Sequence, residues 1–131
     1  MRLLLDTQAA LWAVVGSHRL TSKLRSLIED NTAEVNISVA TLWEIAIKHA
    51  RNRGTPWDMP VSADEAEAHF LNAGYRLLPI LPAHAIAVQR LPALHADPFD
   101  RILVAQALTE PMRLITSDRT VARYSDTITL I

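Results

Sequence analysis

Residues 2–16, RLLLDTQAALWAVVG, contain the pattern on which the predicted fold depends. The run of leucines predicts a short buried strand, Asp6 ends it, and the uncharged segment that follows predicts a helix. The same order, strand and then helix, returns at residues 34–51 and 113–123. Short, uniformly apolar strands that alternate with helices are typical of a parallel sheet covered on both faces. We therefore predict an α/β protein, a three-layer α/β/α sandwich with a short, mainly parallel sheet of four to five strands.

Capping and breaking residues predict the bounds of the other elements. Ser62 and Glu65 have the spacing of a capping box, and Gly54 and Pro56 interrupt the chain before it. The elements predicted in this way are helices from Thr21 to about Asn31, from Ser62 to Gly74, from Pro82 onward and from Asp97 to about Thr109, with strands at 77–80 and 128–130.

Composition limits the kind of protein. The chain has 131 residues, of which 50% are hydrophobic, so we expect residues 1–131 to form a single domain. The net charge of −1 provides no overall field for holding nucleic acid, which leaves only local basic patches for that purpose. The chain has no cysteine, and the uncharged stretch at 7–17 is too short for a membrane helix. We expect a soluble cytoplasmic protein without a membrane contact.

Acidic residues recur at the same end of successive strand–helix units. Asp6 and Asp118 follow strands directly, Asp100 is in the first turn of a helix, and Glu44 is about two turns into another. Right-handed crossovers bring the carboxyl ends of parallel strands to one edge, which is where ligands bind in open sheets. Clustered carboxylates repel one another unless they share a cation. The pattern therefore predicts a divalent-metal site.

Each acid also has a purely structural interpretation. Asp97, before Pro98, has the position of a helix N-cap, and Asp118 could cap a short helix. Glu44 precedes Lys48 by four residues, the favourable order for a surface ion pair. These interpretations account for the acids singly, but not for their joint position.

Other chemistries lack their usual residues. The three glycines are widely separated, which excludes a glycine-rich phosphate loop. The histidines show no metal-ligand spacing, and we expect them at the surface. They are His18, His49, His69, His84 and His95.

Four segments together resemble one known family, the PIN-domain ribonucleases, and more narrowly the VapC-type toxins of bacterial toxin–antitoxin pairs. They are Leu3-Leu4-Leu5-Asp6-Thr7, residues 38–45 (SVATLWEI), residues 95–101 (HADPFDR) and Thr116-Ser117-Asp118. The resemblance covers essentially the whole chain, and residues 97–107 are its most specific part.

The resemblance implies a Mg²⁺- or Mn²⁺-dependent endoribonuclease. The acids that match the family's catalytic and metal-binding quartet are Asp6, Glu44, Asp100 and Asp118. Asp97 is an additional acid of this subgroup and a further candidate metal ligand. Thr7 and Thr116 match supporting hydroxyl residues beside the first and last acids.

The partners that follow from this interpretation are an RNA substrate, a cognate antitoxin and a second copy in a homodimer. The densest basic stretch and the cations beside the acids are candidates for RNA contact: Lys48, Arg51, Arg53, Arg101 and Arg119. Trp12, Trp43 and Trp57 could line the antitoxin groove, although Trp12 and Trp43 could instead belong to the core, with only Trp57 exposed. Two alternatives remain open: an RNA-processing PIN nuclease without an antitoxin, and a non-catalytic α/β interaction domain.

Overall fold

A computed structural model of the protein describes residues 1–16 and 19–131. The prediction for His18 lies outside these residues. The strands are β1 Arg2–Leu5, β2 Glu34–Ser38, β3 Arg76–Leu78, β4 Arg113–Thr116 and β5 Thr129–Leu130. The α-helices are α1 Thr7–Val15, α2 Ser22–Ile28, α3 Val39–Ala50, α4 Ala63–Asn72, α5 Pro82–Ala87, α6 Pro98–Thr109 and α7 Arg119–Ala122.

The strands form one parallel sheet with β1 at its centre. The strand order is β3-β2-β1-β4-β5, and every described pair is parallel. Leu5, the last residue of β1, lies opposite Ile37 of β2 and Ile115 of β4. The three central strands therefore end at nearly the same level. The predicted α/β class with a short parallel sheet is confirmed.

The alternation of side chains along β1 creates a hydrophobic core on each face of the sheet. Leu3 and Leu5 point to one face, where they belong to the same buried cluster as Phe70 of α4. Leu4 points to the other face, where it belongs to a cluster with Leu103 of α6. Because both faces are covered by helices, the molecule has three layers.

Two of the differences from the predicted element bounds have a clear physical reason. The strand predicted at 77–80 is β3, which ends at Leu78, because β2, its partner in the described sheet, ends at Ser38, the residue paired with Leu78. The helix predicted to reach about Asn31 is α2, which ends at Ile28. It stops there because Asp30 accepts a hydrogen bond from the Thr32 backbone in a turn.

Two buried-or-exposed predictions were wrong. His84 was expected at the surface but is fully buried, with Nδ1 accepting a hydrogen bond from the Leu81 backbone and Nε2 lying 2.5 Å from the Glu110 carboxylate. Trp43 was a core candidate, but 60% of it is exposed, because it lies on the outer side of α3, edge-on to Phe99.

The other tryptophans behave as expected. Trp12 is partly buried and packs against the core, and Trp57 is 88% exposed. In the part of the chain that the structure describes, no helix has the length and hydropathy needed to cross a membrane.

Candidate metal centre

All five predicted acids line one small cleft at the carboxyl edge of the sheet. The cleft has a volume of about 210 Å³, and we call it the acidic cleft. It is formed by Asp6, Glu44, Asp97, Asp100 and Asp118, together with Thr7, Gln8, Lys48 and Ser117.

Three of these aspartates also cap helices, so the structural interpretation and the proposed site coexist. Asp6, Asp97 and Asp118 each use Oδ1 to accept a hydrogen bond of 2.8 Å from a backbone N–H in the first turn of α1, α6 and α7, respectively. The cap fixes the side chain against its helix and leaves the second oxygen for other contacts. Capping is therefore what aims these carboxylates into the acidic cleft.

Thr116 connects the first and the last acid of the chain. Its buried hydroxyl donates to Asp6 Oδ2 at 2.7 Å and accepts from the Asp118 backbone N–H at 3.0 Å. Burial raises the pKa of Asp6 above its ordinary value, although the hydrogen bonds from Thr116 and from the Ala9 backbone oppose the rise. Thr116 thus supports the ionised form of a desolvated carboxylate.

Glu44 is buried and held by two donors. Thr7 Oγ1 donates to its Oε1 at 2.7 Å, and Lys48 Nζ donates to its Oε2 at 2.6 Å. The Thr7 hydroxyl is also 3.2 Å from that of Thr41, one turn earlier on α3. The predicted Glu44–Lys48 pair exists, but with the carboxylate inside the acidic cleft rather than on an open surface.

Burial and the negative charges of the acidic cleft make it unfavourable to ionise Asp100. Partial burial and the nearby Asp97, with smaller effects of Asp6 and Glu44, raise the pKa of Asp100 to about 7. A cation between these carboxylates would remove the repulsion. The donor set consists mainly of carboxylate oxygens without thiolates, which is what Mg²⁺ and Mn²⁺ prefer, so these residues fit a hard divalent ion.

His95 contacts two acids of the acidic cleft, and the sequence interpretation did not place it there. Its side chain, expected at the surface, is 19% exposed, and its Nε2 lies 3.0 Å from Asp118 Oδ2 and 3.3 Å from Asp100 Oδ2. Partial burial acts to raise the pKa of Asp118, but the hydrogen bond from His95 and those from the α7 backbone outweigh it and lower this pKa. The only available signal was position, because His95 lies two residues before Asp97 in a segment already rich in candidates.

A larger groove, of about 880 Å³, adjoins the acidic cleft. Gln8 and Lys48 line both, so the two cavities share a border. We call the larger one the basic groove. It also includes Trp12, Arg51, Arg53, Trp57 and Met59.

The loop beside the basic groove, residues 52–59, closes on itself. The Asn52 side chain forms two hydrogen bonds of 2.9 Å with the backbone of Met59. The Asp58 carboxylate accepts hydrogen bonds from three successive backbone N–H groups at 53–55, and Gly54 among them has a φ of 79°, which favours glycine. The loop therefore holds Trp57 at its tip while leaving its ring in solvent.

The remaining cationic candidates differ from one another. Arg119 is exposed at the start of α7, beside Asp118. Arg101 is used inside the protein: its guanidinium donates to the carbonyls of Val88 and Pro92 and to the Tyr124 hydroxyl. Arg101 therefore links the segment before α6 to Tyr124, just after α7, and it is not available to phosphates in the way the other candidates are.

The fold and the cleft define an α/β protein with clustered carboxylates at the carboxyl edge of a parallel sheet. The chain belongs to the PIN domain family, whose sequence profile matches residues 3–126. No curated protein matches it at a significant level.

Solved structures of the same fold cover nearly the whole chain. VapBC2 from Rickettsia felis, bound to a promoter DNA fragment, has a TM-score of 0.69 at 14% identity, with 100% of this chain and 98% of that one covered. DNA-bound VapBC from Salmonella typhimurium has a TM-score of 0.69 at 17% identity, with 100% and 97% covered. FitAcB from Neisseria gonorrhoeae has a TM-score of 0.62 at 16% identity, with 98% and 96% covered.

Proposed function

We propose that this PIN-domain protein is a divalent-metal-dependent endoribonuclease and the toxin of a type II toxin–antitoxin pair. The observation that carries the proposal is the convergence of Asp6, Glu44, Asp100 and Asp118 in one cleft, where partial burial and the nearby Asp97 raise the pKa of Asp100 to about 7. The likeness to VapBC and FitAcB complexes supports the toxin role.

In this proposal the four acids have different roles at the metal. Asp6 and Asp100 are the principal metal ligands, Glu44 is a ligand or the base that orients water, and Asp118 is an outer or second-metal ligand. Bound there, Mg²⁺ or Mn²⁺ would make water more acidic and stabilise charge on the phosphodiester oxygens. Asp97 faces the same space while it caps α6.

The chain's own hydrogen bonds prepare these acids before RNA arrives. Thr116 holds Asp6, and Thr7 holds Glu44, through buried hydroxyl contacts of 2.7 Å each. Because both donors are fixed in the fold, neither carboxylate has to reorient when substrate binds. Water rather than the ribose 2′-hydroxyl is then the nucleophile, and the expected products carry a 5′-phosphate and a 3′-hydroxyl. A 2′,3′-cyclic phosphate would refute this.

The basic groove is the proposed path of the RNA. Arg51 and Arg53 would contact phosphates, and the exposed ring of Trp57 offers a stacking surface for a base. Lys48 stands at the border to the acidic cleft, and Arg119 lies on the far side beside Asp118. A single strand along the groove would thus pass the carboxylates.

The basic groove is also the proposed binding site of the antitoxin. A segment packed between Trp12 and Trp57 would cover the border residues Gln8 and Lys48 and so exclude RNA from the acids. We further propose that the toxin acts as a homodimer in the cytoplasm, and the exposed Trp43 lies outside the groove, where a second copy could cover it.

The test incubates purified, partner-free protein with a panel of RNAs in Mg²⁺, in Mn²⁺ and with a chelator. Asp6→Asn keeps an oxygen for the α1 cap but removes the charge, so cleavage should fall by at least about 100-fold. Asp126→Asn, an identical change at an exposed residue, is the matched control. If neither metal supports cleavage or raises the thermal stability of the wild type, the protein is a non-catalytic domain instead. If it cleaves RNA but isolates from its host without a small partner protein, it is a processing nuclease.

A further inference from the structure

His95, Asp100 and Asp118 form a triangle that at first suggests a metal site with a nitrogen ligand. One ligand atom from each lies within 4.8 Å of the other two. The imidazole is only 19% exposed, and its Nε2 is the atom that faces both carboxylates. The question is whether this nitrogen can bind a cation or only donate a hydrogen bond.

The hydrogen bond at the other ring nitrogen, Nδ1, determines which nitrogen carries the proton. His95 Nδ1 lies 3.0 Å from the backbone N–H of Asp97, a group that can only donate. Nδ1 must therefore be the acceptor and carry no proton. A neutral imidazole has one N–H, so the proton is on Nε2, which has no free electron pair for a metal ion.

Contacts on both sides hold the imidazole and its acceptor in place. The His95 backbone N–H donates to the Tyr124 hydroxyl at 2.9 Å. The Oδ1 of Asp118 accepts hydrogen bonds from the backbone N–H groups of Thr120 and Val121. The Nε2–H of His95 donates to Oδ2, so both oxygens of this carboxylate are held in place.

We propose that His95 is a positioning residue and not a metal ligand: its Nε2–H donates to Asp118 Oδ2, and more weakly to Asp100 Oδ2, and so sets the separation of two carboxylates that receive the cation. The inference rests on the proposed function, because it assumes that these carboxylates bind a metal. It adds a fixed donor, with a defined tautomer, to a site otherwise made of acids.

The first test measures the metal affinity of the full chain by calorimetry, with Mg²⁺ and with Mn²⁺ alone. Loss of an orienting hydrogen bond to a ligand typically weakens metal binding about 10-fold or more. The affinity of His95→Ala for Mg²⁺ and for Mn²⁺ should therefore be about 10-fold lower than that of the wild type, because both ions depend equally on the placement of the carboxylates. His95→Gln, whose amide can donate from nearly the same point, should recover most of the loss. His69→Ala, at an exposed histidine of α4, is the matched control and should bind as the wild type does.

Imidazole coordination predicts a different pattern. A nitrogen ligand favours Mn²⁺ over Mg²⁺, so loss of His95 would then weaken Mn²⁺ binding far more than Mg²⁺ binding. That result would overturn the proposal, as would wild-type affinity in His95→Ala. Urea unfolding of each variant establishes that the compared proteins are folded.

The second test reads the tautomer directly, by ¹⁵N NMR of the histidine ring in metal-free and Mg²⁺-saturated wild-type protein. We expect a protonated Nε2 and an unprotonated Nδ1 in both states. A transfer of the ring proton from Nε2 to Nδ1 on saturation, which would leave Nε2 unprotonated and able to bind the ion, would identify a ligand and refute the proposal. If the wild type binds neither ion, the proposed nuclease function fails, whereas a metal-binding wild type with an indifferent His95→Ala refutes only the positioning role.

Discussion

Replacement of Asp100 by asparagine removes one charge from the acidic cleft and keeps the shape of the side chain. In the metal-free protein this charge is unfavourable, because partial burial and Asp97 raise the pKa of Asp100 to about 7. We expect Asp100→Asn to be more stable than the wild type at pH 8 in the presence of a chelator. A substitution in a proposed catalytic site that raises stability indicates that the removed charge was desolvated and repelled by its neighbours.

The magnitude follows from the pKa. A carboxyl with a pKa of about 7 instead of 3.8 is harder to ionise by about 4 kcal/mol. The Asp100 side chain is 23% exposed, and solvent screening reduces this to about 2 kcal/mol. The lost charge in the first turn of α6 costs about 0.5 kcal/mol, because an acid there favours the helix dipole. The net gain is about 1.5 kcal/mol, or about 1 M in the urea midpoint.

The pH dependence has a definite sign. Between about pH 4 and pH 7 the folded wild type retains a proton on Asp100 that the unfolded chain has lost, so its stability falls as the pH rises. The advantage of Asp100→Asn should therefore be absent near pH 4, grow to about pH 7 and stay constant above it.

Urea unfolding in a chelator, followed across this pH range, measures the difference, and Asp126→Asn is the control for loss of an exposed aspartate. With saturating Mg²⁺ the order should reverse, because only the wild type keeps the full ligand set. Equal stability at pH 8, or a destabilised Asp100→Asn, would refute the view that these carboxylates repel one another across a desolvated cleft.

Three further outcomes are expected. Thr116→Val removes the hydroxyl that donates to Asp6, so the free energy of unfolding should fall by about 1–2 kcal/mol, with slower RNA cleavage; unchanged kinetics would mean that Asp6 needs no support. Arg101→Met should lower stability by about 1–3 kcal/mol in urea while the salt dependence of RNA binding stays the same. Reversing the charge of Arg51 and Arg53 together should weaken RNA binding and reduce the slope of log affinity against log salt by more than 1, whereas an unchanged slope places the RNA elsewhere.

The fold could be predicted because its decisive signals are local. The leucine run of β1 and the capping role of Asp6 are each contained in a few residues, and the parallel sheet follows from their repetition. The proposed metal centre was predictable for the same reason. An acid that ends a strand or caps the next helix is carried to the carboxyl edge by the topology itself.

What the sequence could not indicate depends on contacts between distant segments. The buried ring of His84 has a hydrogen-bond partner in the carboxylate of Glu110, which lies 26 residues later in the chain. The residues next to His84 in the sequence do not predict that partner. Trp43 resembles a core residue because both sides of α3 carry apolar side chains, yet only the side with Ile45 faces the sheet. His95 reaches Asp118 across 23 residues from a segment without regular periodicity.

The self-closed loop at residues 52–59 has a consequence for how such a protein can change. Its shape depends on Asn52 and Asp58, so the residue at its exposed tip, Trp57, can be replaced without disturbing these hydrogen bonds. In the proposed nuclease, exchanging residues 52–59 for the loop of a related protein should change which RNA is bound while the carboxylates of the acidic cleft keep their positions.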